Sequence, residues 1–191
     1  MLVRYSRGDT IIEVLLAITI FSMVAVASIT LMNQGTSASQ RALEITLVRQ
    51  QIDAQAESLR AAHQAYTAQP TSDAEWVKVV NKASTGTFNT EDGCPTAAQL
   101  PSRFAMNPST ASIINSASWF TPMLAPTAPP YAQVQTSAPG KSYGIWIEAA
   151  KNGLLEPKAY DFRIRACWYG AGLSTRAPMQ LETLVRLYDP S

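Results

Sequence analysis

The chain has 191 residues, a formal net charge of +1 and a mean hydropathy of −0.02. That length accommodates one membrane anchor and one domain of ordinary size. The near-neutral charge excludes bulk nucleic-acid affinity, which needs a strongly basic footprint. The hydropathy is an average of two unlike parts, an apolar N-terminal segment and a Thr/Ser/Pro-rich remainder.

The chain opens with a short basic leader containing Arg4 and Arg7 and ending in Gly8. Asp9 and Glu13 follow, and from Val14 to Gln40 there is no charged residue. As a helix, Val14 to Met32 would be about 28 Å long, close to the ~30 Å hydrocarbon core of a bilayer. Arg4 and Arg7 would stay cytoplasmic under the positive-inside rule, so the residues beyond 40 would face outward. Glu13 is physically odd in this setting. An acid in a membrane helix costs about 2.5–3.5 kcal/mol at mid-bilayer and is usually kept for a function. Two blander readings compete. A secretory signal would be cut after the apolar run, where Ala25, Ala27 and Ser28 offer small residues, but that cut leaves Glu13 without a role. A plain single-pass anchor would make the acid an accident.

Over residues 4 to 35 this N-terminus resembles that of type IV prepilins and type II secretion pseudopilins. The resemblance is carried by the basic leader, the Gly8 junction, and Glu13 followed by an apolar run. It implies that a membrane peptidase cuts between Gly8 and Asp9 and methylates the new amine of Asp9. Glu13 would then be the fifth residue of the mature chain and would pair with the amine of a neighbouring subunit in a helical filament. One position departs: Asp9 stands where the family usually has Phe or Met, and it adds a second acid beside Glu13. Arg7-Gly8-Asp9 also spells an integrin-binding tripeptide, which this cut would destroy. The implied partners are other pilin subunits, the prepilin peptidase, an assembly platform in the inner membrane, and membrane lipid before assembly. The implied organisation is a leader at 1–8, a transmembrane and filament-core half-helix at 9–35, and an outward-facing pilin-like domain at 36–191. Loss of Arg4 and Arg7 would take the net charge from +1 to −1, and nucleic acid is not an expected partner.

All twelve prolines lie at or after Pro70, and Gly35 is the only glycine between Asp9 and Gly86. That pattern predicts one long helix reaching about Tyr66. Ile45, Val48, Ile52, Leu59, Ala62 and Tyr66 recur at three- and four-residue steps, with Gln55 and Ala56 between them, and form an apolar stripe. Arg41, Glu44, Arg49, Asp53, Glu57 and Arg60 read as the polar face. Gly35 costs about 1 kcal/mol in a helix interior, so a break near Asn33-Gln34-Gly35 is the competing reading. A second helix is expected from Ser72, where Ser72 and Glu75 have capping-box spacing, with Trp76, Val79 and Val80 as its buried face. From Thr85 to Gly140 the chain is turn-rich. Ala111 to Trp119 is a candidate short helix, and Thr121 to Gly140 reads as a Pro-rich extended connection. Near the C-terminus Tyr143, Ile145 and Ile147 alternate with smaller or polar residues, except at Trp146. Phe162 to Trp168 and Leu181 to Leu187 alternate in the same way. Period two over three segments predicts an antiparallel sheet with one face on a core. Helix first and sheet last is an α+β layout, with the apolar stripe of the helix packed on the sheet.

Cys94 and Cys167 would face an oxidising compartment and suggest one disulfide, two free thiols being the alternative. His63 is the only histidine. It has no Gly-x-Ser-x-Gly stretch or metal-spaced cluster beside it and reads as structural. Glu91-Asp92-Gly93 reads as a turn before it reads as a calcium site. Arg163 and Arg165 share a strand face and read as a solvated sheet surface before a phosphate contact. No cofactor or enzymatic constellation is expected. The leading reading is a pilus, secretion or competence filament subunit, and the size and Pro-rich loops lean towards a minor one. The alternative is a membrane-tethered extracytoplasmic binding protein, which predicts no processing at Gly8.

Overall fold

The computed structural model describes residues 9–85, 88, 103–115, 133–135, 141–152, 159–168 and 178–189. The chain divides into two compact units, Met1–Ala42 and Leu43–Ser191. Helix α1 runs Asp9–Ala68 as one 60-residue element, as expected of a stretch without proline. Gly35 does not break it, and a Cβ there would meet no neighbouring atom, so close packing does not demand the glycine.

The second unit contains the later part of α1, then α2 (Glu75–Val80), β1 (Ser84–Thr85), β2 (Phe104–Asn107), β3 (Ser112–Asn115), β4 (Gln133–Gln135), β5 (Lys141–Tyr143), β6 (Ile145–Asn152), β7 (Ala159–Trp168) and β8 (Met179–Tyr188). The main sheet has the order β3-β2-β6-β7-β8, antiparallel throughout, with β1 pairing β6 in parallel at Ser84↔Ala150. β4 and β5 form a separate antiparallel pair. Gly144 divides β5 from β6 with φ 70, a left-handed conformation open to glycine, and its carbonyl accepts a 2.7 Å bond from the Cys167 amide. The chain is thus α+β, with one long helix first and an antiparallel sheet last.

The predicted stripe is the core face of α1. Val48, Ile52, Ala56, Leu59 and Ala62 are buried and join one cluster with Trp76 and Val79 of α2 and with the sheet residues Phe104, Ile147, Phe162 and Ile164. Trp76 is the aromatic hub. Its ring meets Tyr160 at 5.9 Å, Phe162 at 5.7 Å and the His63 ring at 4.7 Å.

Gln55 is a polar residue inside this stripe, and its burial is compensated. β2 meets β6 only at Phe104↔Ile147. Further along β2, the Gln55 amide replaces the missing strand: Nε2 donates to the Met106 carbonyl at 2.8 Å and Oε1 accepts from the Met106 amide at 2.7 Å. Gln55→Leu leaves both Met106 groups buried and unpaired. At about 1–3 kcal/mol for a stranded group, the urea midpoint of the full chain should fall. An unchanged midpoint would show that water replaces the amide.

Four expectations need correction. Glu44, assigned to the polar face, is buried and accepts a 3.4 Å bond from the Trp168 indole, because β7 reaches that turn of the helix. The Ser72 capping box does not form. α2 starts at Glu75, and its N-cap residue is Ala74, which provides no side-chain cap. Glu75 turns instead to the Ile113 amide at 2.9 Å and to Lys78 at 2.6 Å. Burial alone would raise the Glu75 carboxyl, but these bonds outweigh it and hold the group below its ordinary value. The candidate helix from Ala111 contains strand β3 instead, where the β-branched Ile113 and Ile114 pair with Met106 and Ala105. Residues 116–119 lie outside the described residues. Finally, the sheet is not one-sided: nine of the ten residues of β7 are buried, including those opposite the helix.

Candidate functional site

The first unit is defined by what covers none of it. From Thr10 to Gln40 every residue is exposed except Ala25, which is half-buried. The exposed set includes Ile11, Ile12, Leu15, Leu16, Ile18, Phe21, Val24, Ile29 and Met32. These positions point to all sides of a helix. A helix that is apolar all round has to be buried in something else, either a large core or a membrane. By length and composition α1 can cross a membrane.

Its few hydroxyls suit a dry environment. Thr19 donates to the Leu15 carbonyl, Ser22 to that of Ile18 and Ser28 to that of Val24, each at 2.7 Å, and Thr30 donates to that of Val26 at 2.9 Å. Each of these four hydroxyl protons is satisfied one turn back along its own helix, so none of the four needs water.

Glu13 is the one charged residue between Thr10 and Gln40, and it lies exposed on this apolar surface. Among the described residues it makes no ion pair or hydrogen bond. Asp9 lies within α1, one turn before Glu13. Gly8 itself lies outside the described residues. The arrangement offers a carboxylate on the uncovered apolar part of α1.

The other candidate positions are in the second unit or outside the described residues. Cys167 is fully buried on β7 and disulfide-bonded, whereas Cys94 lies outside the described residues, as does Glu91-Asp92-Gly93. Among the described residues no group of three or more His, Cys, Asp or Glu could hold a metal ion. His63 Nε2 donates to the Tyr188 carbonyl at 2.8 Å, which ties α1 to the end of β8 and accounts for the histidine structurally.

Arg163 and Arg165 are not a solvated surface. Arg165 is 4% exposed, and its pKa lies below the usual value because of burial and, secondarily, the neighbouring Arg163. It lies 5.4 Å from the centre of the Trp146 ring, and Arg103 lies 5.7 Å from the same centre. Glu148 holds this cluster together. Its Oε1 accepts from Arg103 Nε at 2.8 Å and from Trp146 Nε1 at 3.0 Å, all three side chains being buried. Its Oε2 and Arg103 Nη1 have no hydrogen-bond partner. At the rim, Arg163 bonds Glu182 at 2.7 Å. Arg103 and Glu148 were missed in the sequence. The available signal was Trp146, the apolar residue out of step, which shares the sheet face of Glu148, Arg163 and Arg165 once β6 and β7 are in register.

No family model, curated protein or solved structure matches the chain.

Proposed function

We propose that this chain is a prepilin-like subunit that is anchored in the inner membrane by α1, cut after Gly8, and drawn into a type IV pilus or a related secretion or competence filament. The observation that carries this reading is Glu13 on the uncovered apolar part of α1, five residues after Gly8 in the sequence. A bilayer can bury that helix in the free subunit, and the helices of other subunits can bury it in a filament. The carboxylate gains a partner only in the second case, when a neighbour brings its N-terminal amine alongside. In this reading the chain performs no chemistry. Its partners are other subunits, the peptidase and the assembly platform, and its outer unit is closed by a Cys94–Cys167 bridge.

Mass analysis of the protein from its own cells, without reduction, tests both ends of the proposal. The mature chain should begin at Asp9, with or without an N-methyl group, and a peptide containing Cys94 should be linked to one containing Cys167. Gly8→Trp should leave the leader attached and the protein in the membrane. An intact Met1 in the wild-type chain, or a start near Ser28, would remove the prepilin reading. Two alkylatable thiols would remove the bridge alone.

A further inference from the structure

α1 is supported differently along its length. The apolar run that ends at Met32 is exposed in the chain itself, and where lipid surrounds it the backbone has to stay helical. From Glu44, the first buried residue of the helix, α1 belongs to the packed second unit, and Val48, Ile52 and Leu59 hold it to the core. Between these parts lie residues 33–40, Asn-Gln-Gly-Thr-Ser-Ala-Ser-Gln. All eight are exposed, and they stand beyond the apolar run. Neither lipid nor the core supports them.

We propose that residues 33–40 are a hinge in α1: the helix opens and recloses there while the parts on either side remain helical. Five of the eight, Asn33, Gly35, Thr36, Ser37 and Ser39, are weak helix formers, and glycine is the weakest after proline. The segment has no charged residue, so no i,i+4 ion pair lies within it. A Cβ at Gly35 would meet no atom, so the glycine is not there to let another element approach. Two turns of helix with no buried residue are marginal in water, and their exposed backbone bonds open at small cost.

The side chains of the segment lower that cost further. Thr36 Oγ1 donates to the Asn33 carbonyl at 3.0 Å, and Ser37 Oγ donates to the Gln34 carbonyl at 2.9 Å. In the α-helix the backbone partners of these carbonyls are the Ser37 and Ala38 amides, four residues on. When those two backbone bonds open, each carbonyl keeps a hydroxyl donor, and water takes the freed amides. Motion at this point lets the second unit turn above a membrane while the apolar run stays in the lipid. A partner can then be met from several directions with no apolar surface drawn into water. The inference needs only an anchored α1, so it is independent of any cut at Gly8 and of any filament.

The test is a distance measurement between two spin labels on the full chain, diluted in lipid vesicles. The labels go on Val26→Cys and Asp53→Cys, both at exposed positions on either side of the segment. Among the described residues no free cysteine competes for the label. On an unbroken helix the two positions are about 40 Å apart. The distances should instead spread well below that length. Gly35→Ala combined with Thr36→Ala and Ser37→Ala should narrow them to one peak near ~40 Å, because alanine is the strongest helix former. Hydrogen exchange of the unlabelled chain should be fast over 33–40 and slow on both sides, and the three alanines should slow it roughly tenfold or more. One narrow peak near full length with the native residues in place overturns the hinge. A spread that the three alanines leave unchanged puts the bend elsewhere and overturns it too. Exchange over 33–40 as slow as in the flanking parts would do the same.

Discussion

Glu148→Ala is expected to destabilise the second unit by about 3–5 kcal/mol, the usual cost of removing one partner from a buried ion pair. The change leaves the buried Arg103 guanidinium against the Trp146 ring without its carboxylate, while Arg165 on the same ring keeps Glu182 at 3.4 Å. It also strands the Trp146 indole N–H, which Glu148 Oε1 accepts. The cluster already contains two unpartnered polar atoms, Arg103 Nη1 and Glu148 Oε2, so little spare hydrogen bonding is available to absorb the loss. Arg103→Met combined with Glu148→Gln should cost less than the sum of the two single changes, because it removes the charge and its partner together. Urea unfolding of the full chain in detergent, followed by tryptophan fluorescence, measures both. A loss under about 1 kcal/mol for Glu148→Ala would mean that water enters the cluster, and the pair would then count as a surface one.

Glu13→Ala should abolish or strongly reduce filament incorporation while leaving membrane insertion intact or improved. Removal of an acid from an apolar helix lowers its transfer cost, so anchoring cannot suffer on that account. What disappears, on the filament proposal, is an attraction that exists only between subunits. In a dry core such a pair is far stronger than in water, and it also sets the axial register of neighbours. Asp9 complicates the outcome. It lies four residues before Glu13, one helical turn away, and can assume part of the pairing. Asp9→Ala with Glu13→Ala should therefore be worse than either change alone. Recovery of the subunit in sheared filaments, measured beside total membrane-bound protein, gives the answer. Normal incorporation of both Glu13→Ala and the double variant would eliminate charge pairing as the mechanism, even with processing at Gly8 intact.

The two positions differ in how they could be found. Glu13 was visible because its neighbours are apolar for a long stretch in one direction, and a lone acid in that setting needs no fold to be conspicuous. Arg103 and Glu148 are ordinary charges in their local sequence. They become a buried pair only because β2 and β6 lie side by side in the sheet, a pairing of residues far apart in the chain.

The same distinction runs through the fold. Local rules were sufficient for α1, for its core stripe and for the existence of β6, β7 and β8, because helix and strand periods are written in consecutive residues. They failed where a distant group competed with a local one. Ser72 and Glu75 have the spacing of a cap, but the Ile113 amide takes Glu75. Ser112–Asn115 has no strong period of its own, and its pairing with β2 makes it a strand. Arg165 reads as the outward half of an alternation, yet the structure covers both faces of β7. The sequence by itself determined the apolar helix, its single acid and the order helix then sheet, since burial pattern and charge are properties of the chain. Only the tertiary structure decided which polar residues are buried, because desolvation depends on what packs above a residue and not on what precedes it.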